Sequence, residues 1–312
     1  LTDRITIGTR GSKLALWQAN WVKQQIERHF PDKQIDLEII RTQGDKILDV
    51  PLAKIGGKGL FVKEIEDRLL GGSIDLAVHS MKDMPGDLPP GLAIGAVPLR
   101  ENPCDVLITR AECLFADLPS GARIGTSSLR RAAQLLHLRP DLRIVALRGN
   151  LDTRLRKLES EGLDGIILAA AGIKRLGLDH LVTQYLDPRM MLPAAGQGAL
   201  CIEVREHDAE NIVGWLNDPA TRQVVTAERA FLHTLEGGCQ VPIAAFGQIE
   251  NDQLRLWGLV AELDGQVVLK KRHDGPPQQA AQVGRELARE LIGMGADTIL
   301  ATLNMREDGE VT

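Results

Sequence analysis

The sequence predicts an α/β protein, with two similar lobes facing each other across a cleft and a smaller α+β domain after them. Three observations lead there. The stretch "ITIGTRGSKLALWQA" (5–19) is echoed by "ARIGTSSLRRAAQLL" (122–136), each a strand ending in Ile-Gly-Thr, then a polar turn, then a helix. "SIDLAVHSMK" (73–82) is echoed by "LDGIILAAAG" (163–172), each an aspartate ahead of an apolar strand that feeds a polar loop. From about residue 217 the pattern changes to one helix, three short strands and a closing helix.

Taken in order, "RITIG" alternates as a strand and stops at Gly8. "SKLALWQANWVKQQIERHF" has helical spacing, with Leu14, Trp17, Trp21 and Ile26 near one face. "DLEIIRT" reads as the next strand. Residues 43–60, "QGDKILDVPLAKIGGKGL", show no convincing period and hold four glycines and a proline, which suits either a mobile lid over a site or an ordinary connection. "FVKEIEDRLLGG" is a helix ending in glycines, and "SIDLAVHS" is a strand as apolar as those of buried parallel sheets. In the last third "TAERAFLHTL" is helical. "AAFGQIE", "QLRLWGLVAE" and "QVVLKKRHDG" are strands with turns at Asn251-Asp252 and Asp264-Gly265, and "QQAAQVGRELARELIGMGA" closes the domain as a helix.

Composition removes several classes of function. A net charge of −5 and 3% aromatic residues do not suit a general nucleic-acid or membrane binder, nor a stacking platform for single strands. No stretch approaches the roughly 18 apolar residues of a membrane span. "LTDRITIGTRGSK" lacks the apolar run of a secretory signal, so a cytoplasmic protein is expected. Of the four cysteines, none forms a Cys-x-x-Cys pair or has a histidine at metal-ligand spacing, so neither a metal site nor a disulfide framework is expected. Cys201, in "GALCIEV", reads as core. Cys239 differs: in "LEGGCQVP" it follows two glycines, which puts a thiol on a loop with unusual backbone freedom.

The charges are unevenly spread. Residues 123–157 hold nine Lys/Arg against Asp141 and Asp152, a local +7 that suggests a partner with several negative charges. Solvated helix faces account for Arg139, Arg143, Arg156 and Lys157. "GTSSLRR" is sharper: a helix starting near Ser128 offers unpaired backbone N–H groups, and Arg130 and Arg131 add forks suited to carboxylates. An ordinary hydroxyl cap fits the same letters. The matching turn Thr9-Arg10-Gly11-Ser12 in the first lobe favours two facing anion sites. "HSMKDMP" (79–85) brings Lys82 and Asp83 out at the carboxyl end of a buried strand, where ligands gather in open α/β sheets.

Taken together, "TRGSKLALWQA", "GGKGLFVKEIE", "AVHSMKDMP", "IGTSSLRR", "LRGNLDTRL", "LPAAGQGAL" and "LEGGCQVPI" resemble, in order, the signature segments of the porphobilinogen deaminase (hydroxymethylbilane synthase) family, over nearly the whole chain. The resemblance implies a monomeric transferase that joins four porphobilinogen molecules head to tail, releases ammonia and yields hydroxymethylbilane. It implies two lobes like type II periplasmic binding proteins, at 1–98 with 196–216 and at 99–195, and a C-terminal domain at 217–312. It implies a dipyrromethane cofactor joined by a thioether to Cys239, which answers why that thiol sits on a loop: a thiolate is a strong nucleophile for a carbon electrophile such as deaminated porphobilinogen. Asp83 matches the catalytic aspartate. Lys82, Ser128, Arg130 and Arg131 match cofactor-binding positions. Arg10, Ser12, Arg148, Arg154 and Arg175, with Lys54 and Lys58 on the candidate lid, match positions that hold substrate carboxylates. Two departures stand out: Asp152 places an acid near Arg154, and Lys13 adds a charge beside Ser12.

Two other readings compete. A two-lobed solute-binding or sensor protein for a polycarboxylate would use both anion turns but not Cys239 or Asp83. A cysteine hydrolase pairing Cys239 with His233 or His79 would need an orienting acid, and the sequence shows none.

Overall fold

Alternate apolar residues of the first strand, Ile5 and Ile7, are buried to 1% and 0% exposure, as its pattern requires. The computed structural model describes residues 3–46, 62–208, 212–235 and 241–309. Strand β1 (Arg4–Thr9) leads through a short turn into helix α1 (Lys13–His29), and β2 (Gln34–Ile39) returns parallel to β1. Of the candidate lid, Gln43–Lys46 form a short helix α2; Lys54 and Lys58 lie outside the described residues. Helix α3 (Lys63–Leu70) precedes β3 (Leu76–Ser80), parallel to β1, and β4 (Leu92–Ala96) follows.

The chain then crosses to the second lobe. It runs through β5 (Asp105–Thr109), β6 (Arg123–Gly125), α4 (Leu129–Leu138), β7 (Arg143–Val145), α5 (Leu151–Ser160), β8 (Gly165–Ala169), α6 (Ala170–Arg175) and β9 (Gln184–Leu186). It recrosses as β10 (Leu200–Arg205), which slots antiparallel between β3 and β4. The two sheets run β2-β1-β3-β10-β4 and β7-β6-β8-β5-β9. Each has three parallel strands followed by an antiparallel strand from a crossing, so the paired sequence echoes correspond to one topology used twice. This is the two-lobed α/β architecture that the paired echoes predict.

The crossings run side by side and need glycine. Gly198 has φ +89°, and a Cβ there would stand 2.3 Å from the Glu101 carbonyl oxygen. The third domain begins with α7 (Pro219–Thr234), capped by Asp218, and continues as an antiparallel sheet β11 (Ile243–Glu250), β12 (Gln253–Ala261) and β13 (Val268–Gly275). Asn251 and Asp252 both take positive φ, the conformation a tight hairpin turn demands. Helices α8 (Ala280–Ile292) and α9 (Ala296–Gly309) complete it, with Phe231, Leu256 and Leu287 fully buried between sheet and helices. Its Gly265 turn docks on the second lobe, where the carbonyl lies 2.9 Å from His137 Nδ1.

Helix α1 differs from the sequence expectation. Its buried face is Gln18, Ala19, Val22 and Ile26, and Trp17 is 38% exposed. The apolar residues form two faces rather than one. Val22 and Ile26 pack on the first sheet, while Leu14 lies near Gly172 and Trp17 stacks on Arg175, so this second face meets α6 of the other lobe. Cys201 is fully buried, as expected, and burial pushes its thiol far up in pKa.

Candidate active site

Strand β3 ends at Ser80, and the next residues turn so that Met81 is buried while Asp83 is exposed. The buried Met81 anchors the turn, which sends Asp83 outward. Asp83 lines a cavity of about 70 Å³ together with Arg10, Ser12, Gln18, His79 and Ser80. The carboxyl end of β3 and the β1–α1 turn therefore meet, as the sequence suggested for this fold class.

The two echoed turns are used differently. Ser12 is an ordinary cap: its hydroxyl accepts from the Ala15 N–H at 3.2 Å. Ser128 occupies the same position on α4, but its hydroxyl makes no capping bond. Ser127 instead bonds the Leu147 backbone at 2.9 and 3.0 Å. The N-terminal N–H groups of α4 thus receive no hydroxyl from Ser128, and that helix end favours negative charge.

Arg130 and Arg131 follow at once, and both turn inward. The fully buried Asp105 carboxylate accepts from Arg130 Nη1 at 2.7 Å and from Arg131 Nη2 at 2.7 Å. Burial works against the charge on Asp105, but the two guanidiniums outweigh it and hold its pKa well below the usual carboxylate range. The Gln197 side chain donates to Asp105 at 3.0 Å, which ties the crossing segment to the same cluster. Asp105 and Gln197 were absent from the sequence reading. The only signal was an acid opening an apolar strand, "CDVLIT".

The other cations converge from both sides. Burial lowers the Lys82 pKa to about 8; Asp83 raises it, Arg131 and Arg130 lower it and Asp105 raises it, so the first-lobe turn lies within electrostatic reach of the second-lobe cluster. Burial lowers Arg154 to about 10, with Arg131 and Arg148 adding repulsion and Asp83 attraction. Its Nε donates to the Gly149 carbonyl at 2.9 Å. Burial likewise lowers Arg175 to about 10, partly offset by Glu101, and its Nη2 donates to the Gly198 carbonyl at 2.7 Å. Several cations held together with depressed pKa values form a site that gains from a polyanion.

The two departures noted in the sequence turn out to be partners. Lys13 Nζ and Asp152 Oδ2 pair at 2.6 Å, one from each lobe. Asp152 is therefore matched by Lys13 rather than set against Arg154. The histidines also differ from expectation, because both have acid partners. His233 Nε2 lies 2.8 Å from Asp87, and the buried His79 lies 3.0 Å from Glu203. Cys239 lies outside the described residues. A third-domain anchor was missed as well: Glu228 accepts from Arg100 at 2.7 Å and from the Gly196 and Gly247 N–H groups at 2.6 and 2.8 Å, joining both crossings to α7 and β11.

An exposed carboxylate set against converging cations, between two lobes joined to a third domain, defines a protein that binds and acts on small polyanions. The descriptions "Porphobilinogen deaminase, dipyromethane cofactor binding domain" and "Porphobilinogen deaminase, C-terminal domain" match residues 5–212 and 222–293. The chain belongs to the porphobilinogen deaminase family. It is 57% identical over 306 residues to porphobilinogen deaminase of Syntrophotalea carbinolica, covering 97% of each chain. It is 55% identical to that of Syntrophobacter fumaroxidans, covering 96% of this chain and 98% of the other, and 53% identical to that of Geotalea uraniireducens, covering 97% and 96%. Among solved structures, the periplasmic aliphatic sulphonate binding protein SsuA of Escherichia coli aligns with a TM-score of 0.39 at 16% identity, covering 76% of this chain and 71% of that one.

Proposed function

We propose that Cys239 carries the dipyrromethane primer and that Asp83 is the catalytic group as this enzyme joins four porphobilinogen molecules into hydroxymethylbilane. The observation that carries the reading is the Asp83 carboxylate, exposed at the end of β3 and facing cations from the second lobe. Every pyrrole unit bears an acetate and a propionate, and the residues present suit such a group. Lys82, Arg131 and the α4 N-terminus, where Ser128 makes no capping bond, meet carboxylates, while Asp83 accepts pyrrole N–H groups. Bound there, the primer supplies the free ring carbon that starts the chain.

Within this reading Asp83 holds the pyrrole N–H and stabilises the positive charge that develops on the substrate as ammonia leaves. Arg10, Ser12, Arg148, Arg154 and Arg175 orient the carboxylates. Lys54 and Lys58 join them from the segment between α2 and α3. Arg130 acts by holding Asp105, which in turn fixes Arg131. A monomer in the cytoplasm completes the reading. Among the described residues no helix is long and apolar enough to cross a membrane.

Incubation with porphobilinogen tests this directly. Four substrate molecules consumed and four ammonia molecules released per hydroxymethylbilane are expected. Substrate binding without ammonia release would favour the solute-binding alternative and overturn the reading.

A further inference from the structure

Beneath the Asp83 cavity the first lobe holds three titratable side chains that this mechanism leaves unused. His79 is 5% exposed and lines the cavity itself. On β10, Glu203 is fully buried, and one of its carboxylate oxygens lies 3.0 Å from His79 Nε2. Helix α3 packs over β3 and β10 and adds Glu66, 6% exposed. The second oxygen of Glu203 and Oε1 of Glu66 are both buried without a hydrogen-bond partner among the described residues. Two buried carboxylates with orphaned oxygens and one imidazole cannot all shed their protons cheaply, because a net charge there faces a poorly solvated interior.

We propose that Glu66, Glu203 and His79 form a buried proton-sharing cluster whose net charge governs how well the cavity above it accepts the carboxylates of the substrate. With Glu66 protonated the cluster carries one negative charge fewer than with its carboxylate ionised. Loss of that proton puts a negative charge under a cavity that must receive a propionate or acetate beside Asp83. The residues thus act through Arg10 and Asp83 rather than on the reacting atoms. They are positioning residues, and the inference rests on the site being the porphobilinogen site proposed above.

The surroundings identify which member titrates. Burial raises the Glu66 pKa to about 7; Glu203 adds to the rise, His79 opposes it, and Asp67 on the same helix adds a little. Facing Glu203 are Cys201 on its own strand and Arg229 from α7. Arg205 at the end of β10 is engaged with Asp75 and Asp208. Strand β1 contributes only Arg4, paired with Asp36, and β4 contributes no titratable group. Glu66 is thus the group that changes charge near neutrality, and among the described residues no lysine or arginine offsets the rise in its pKa.

The test is the KM for porphobilinogen across pH 6–8.5 in the parent, Glu66→Gln and Glu203→Gln, each first checked for fold by circular dichroism. In the parent KM is expected to rise about two- to tenfold as pH passes 7, the effect of one charge across a partly screened interior. Glu66→Gln, an isostere of the protonated acid, should flatten that rise, with kcat keeping the parent's pH dependence. Glu203→Gln removes the nearby charge that helps raise the Glu66 pKa, so the rise should move to lower pH. A Glu66→Gln enzyme whose KM follows the parent at every pH overturns the inference while leaving the activity in place. Thermal midpoints of the same proteins give a readout free of turnover. The Glu66→Gln midpoint should exceed the parent's at pH 8 and match it near pH 4.5; equal midpoints at both would also overturn it.

Discussion

Asp105 Oδ1 accepts from Arg131 Nη2 at 2.7 Å and from Arg131 Nε at 3.0 Å, a two-pronged bond inside the second lobe with no solvent on the carboxylate. The same carboxylate holds Arg130, so one buried acid keeps two adjacent guanidiniums in place. The array of cations is thus built around an anion of its own.

Asp105→Asn should therefore destabilise the protein by about 3–5 kcal/mol, because it leaves two buried guanidiniums in mutual repulsion. Denaturant titration would read the loss. A midpoint close to that of the parent would mean that the cluster does not depend on Asp105. Arg131→Leu, in contrast, still leaves Asp105 its bond to Arg130. Its larger effect should be on primer loading or chain growth, read as the distribution of covalent adducts by mass.

Asp83→Asn should leave fold and primer intact and lower turnover by 100-fold or more, the scale of losing one charge-stabilising group in a catalytic site. The side chain is exposed, so no packing is lost. Turnover within a few-fold of the parent would remove Asp83 from the chemistry.

Lys82 gives a pH prediction of definite sign. Its pKa falls from 10.5 to about 8 on folding, because burial disfavours the charge more than Asp83 favours it. Below pH 8 both folded and unfolded states carry the charge, and the folded state bears the full cost. Between 8 and 10.5 only the unfolded chain holds the proton, so the cost fades. In a Cys239→Ala background, which on this account carries no primer, Lys82→Met should be about 1–3 kcal/mol more stable than its parent at pH 7. The gain should shrink toward zero by pH 10. A gain that grows with pH would show the opposite linkage.

Lys13 and Asp152 join the lobes through side chains that are 75% and 34% exposed, so the pair contributes little to stability, below about 1 kcal/mol. Its effect should fall on binding. Lys13→Ala frees an acid between the lobes and should raise KM about two- to fivefold at low salt, as expected for one solvent-screened charge. Adding Asp152→Ala should restore it. Unchanged KM in both variants would make the pair a bystander.

What the sequence disclosed follows from the range of each interaction. Strand and helix order was legible because period and punctuation are local, and the echo of Ile7-Gly8-Thr9 in Ile124-Gly125-Thr126 pointed to a repeated lobe. The place of Asp83 at the carboxyl end of a buried strand was legible because it lies next to that strand in the chain. Asp105, Gln197, Glu228 and Glu203 were not, since their partners lie 19 to 128 residues away and only folding brings them together. For the same reason Lys13 and Asp152 looked like separate oddities. On α1 the apolar residues were found but read as one face. The helix contacts a second lobe whose position its own letters do not encode.

The central claim is that Cys239 carries a two-pyrrole primer, and intact-mass measurement of the protein beside its Cys239→Ala variant tests it most directly. The account predicts an excess in the parent equal to two deaminated porphobilinogen units, absent from the variant. A parent that shows no such excess, even after incubation with porphobilinogen, would contradict it, as would an equal excess in the variant.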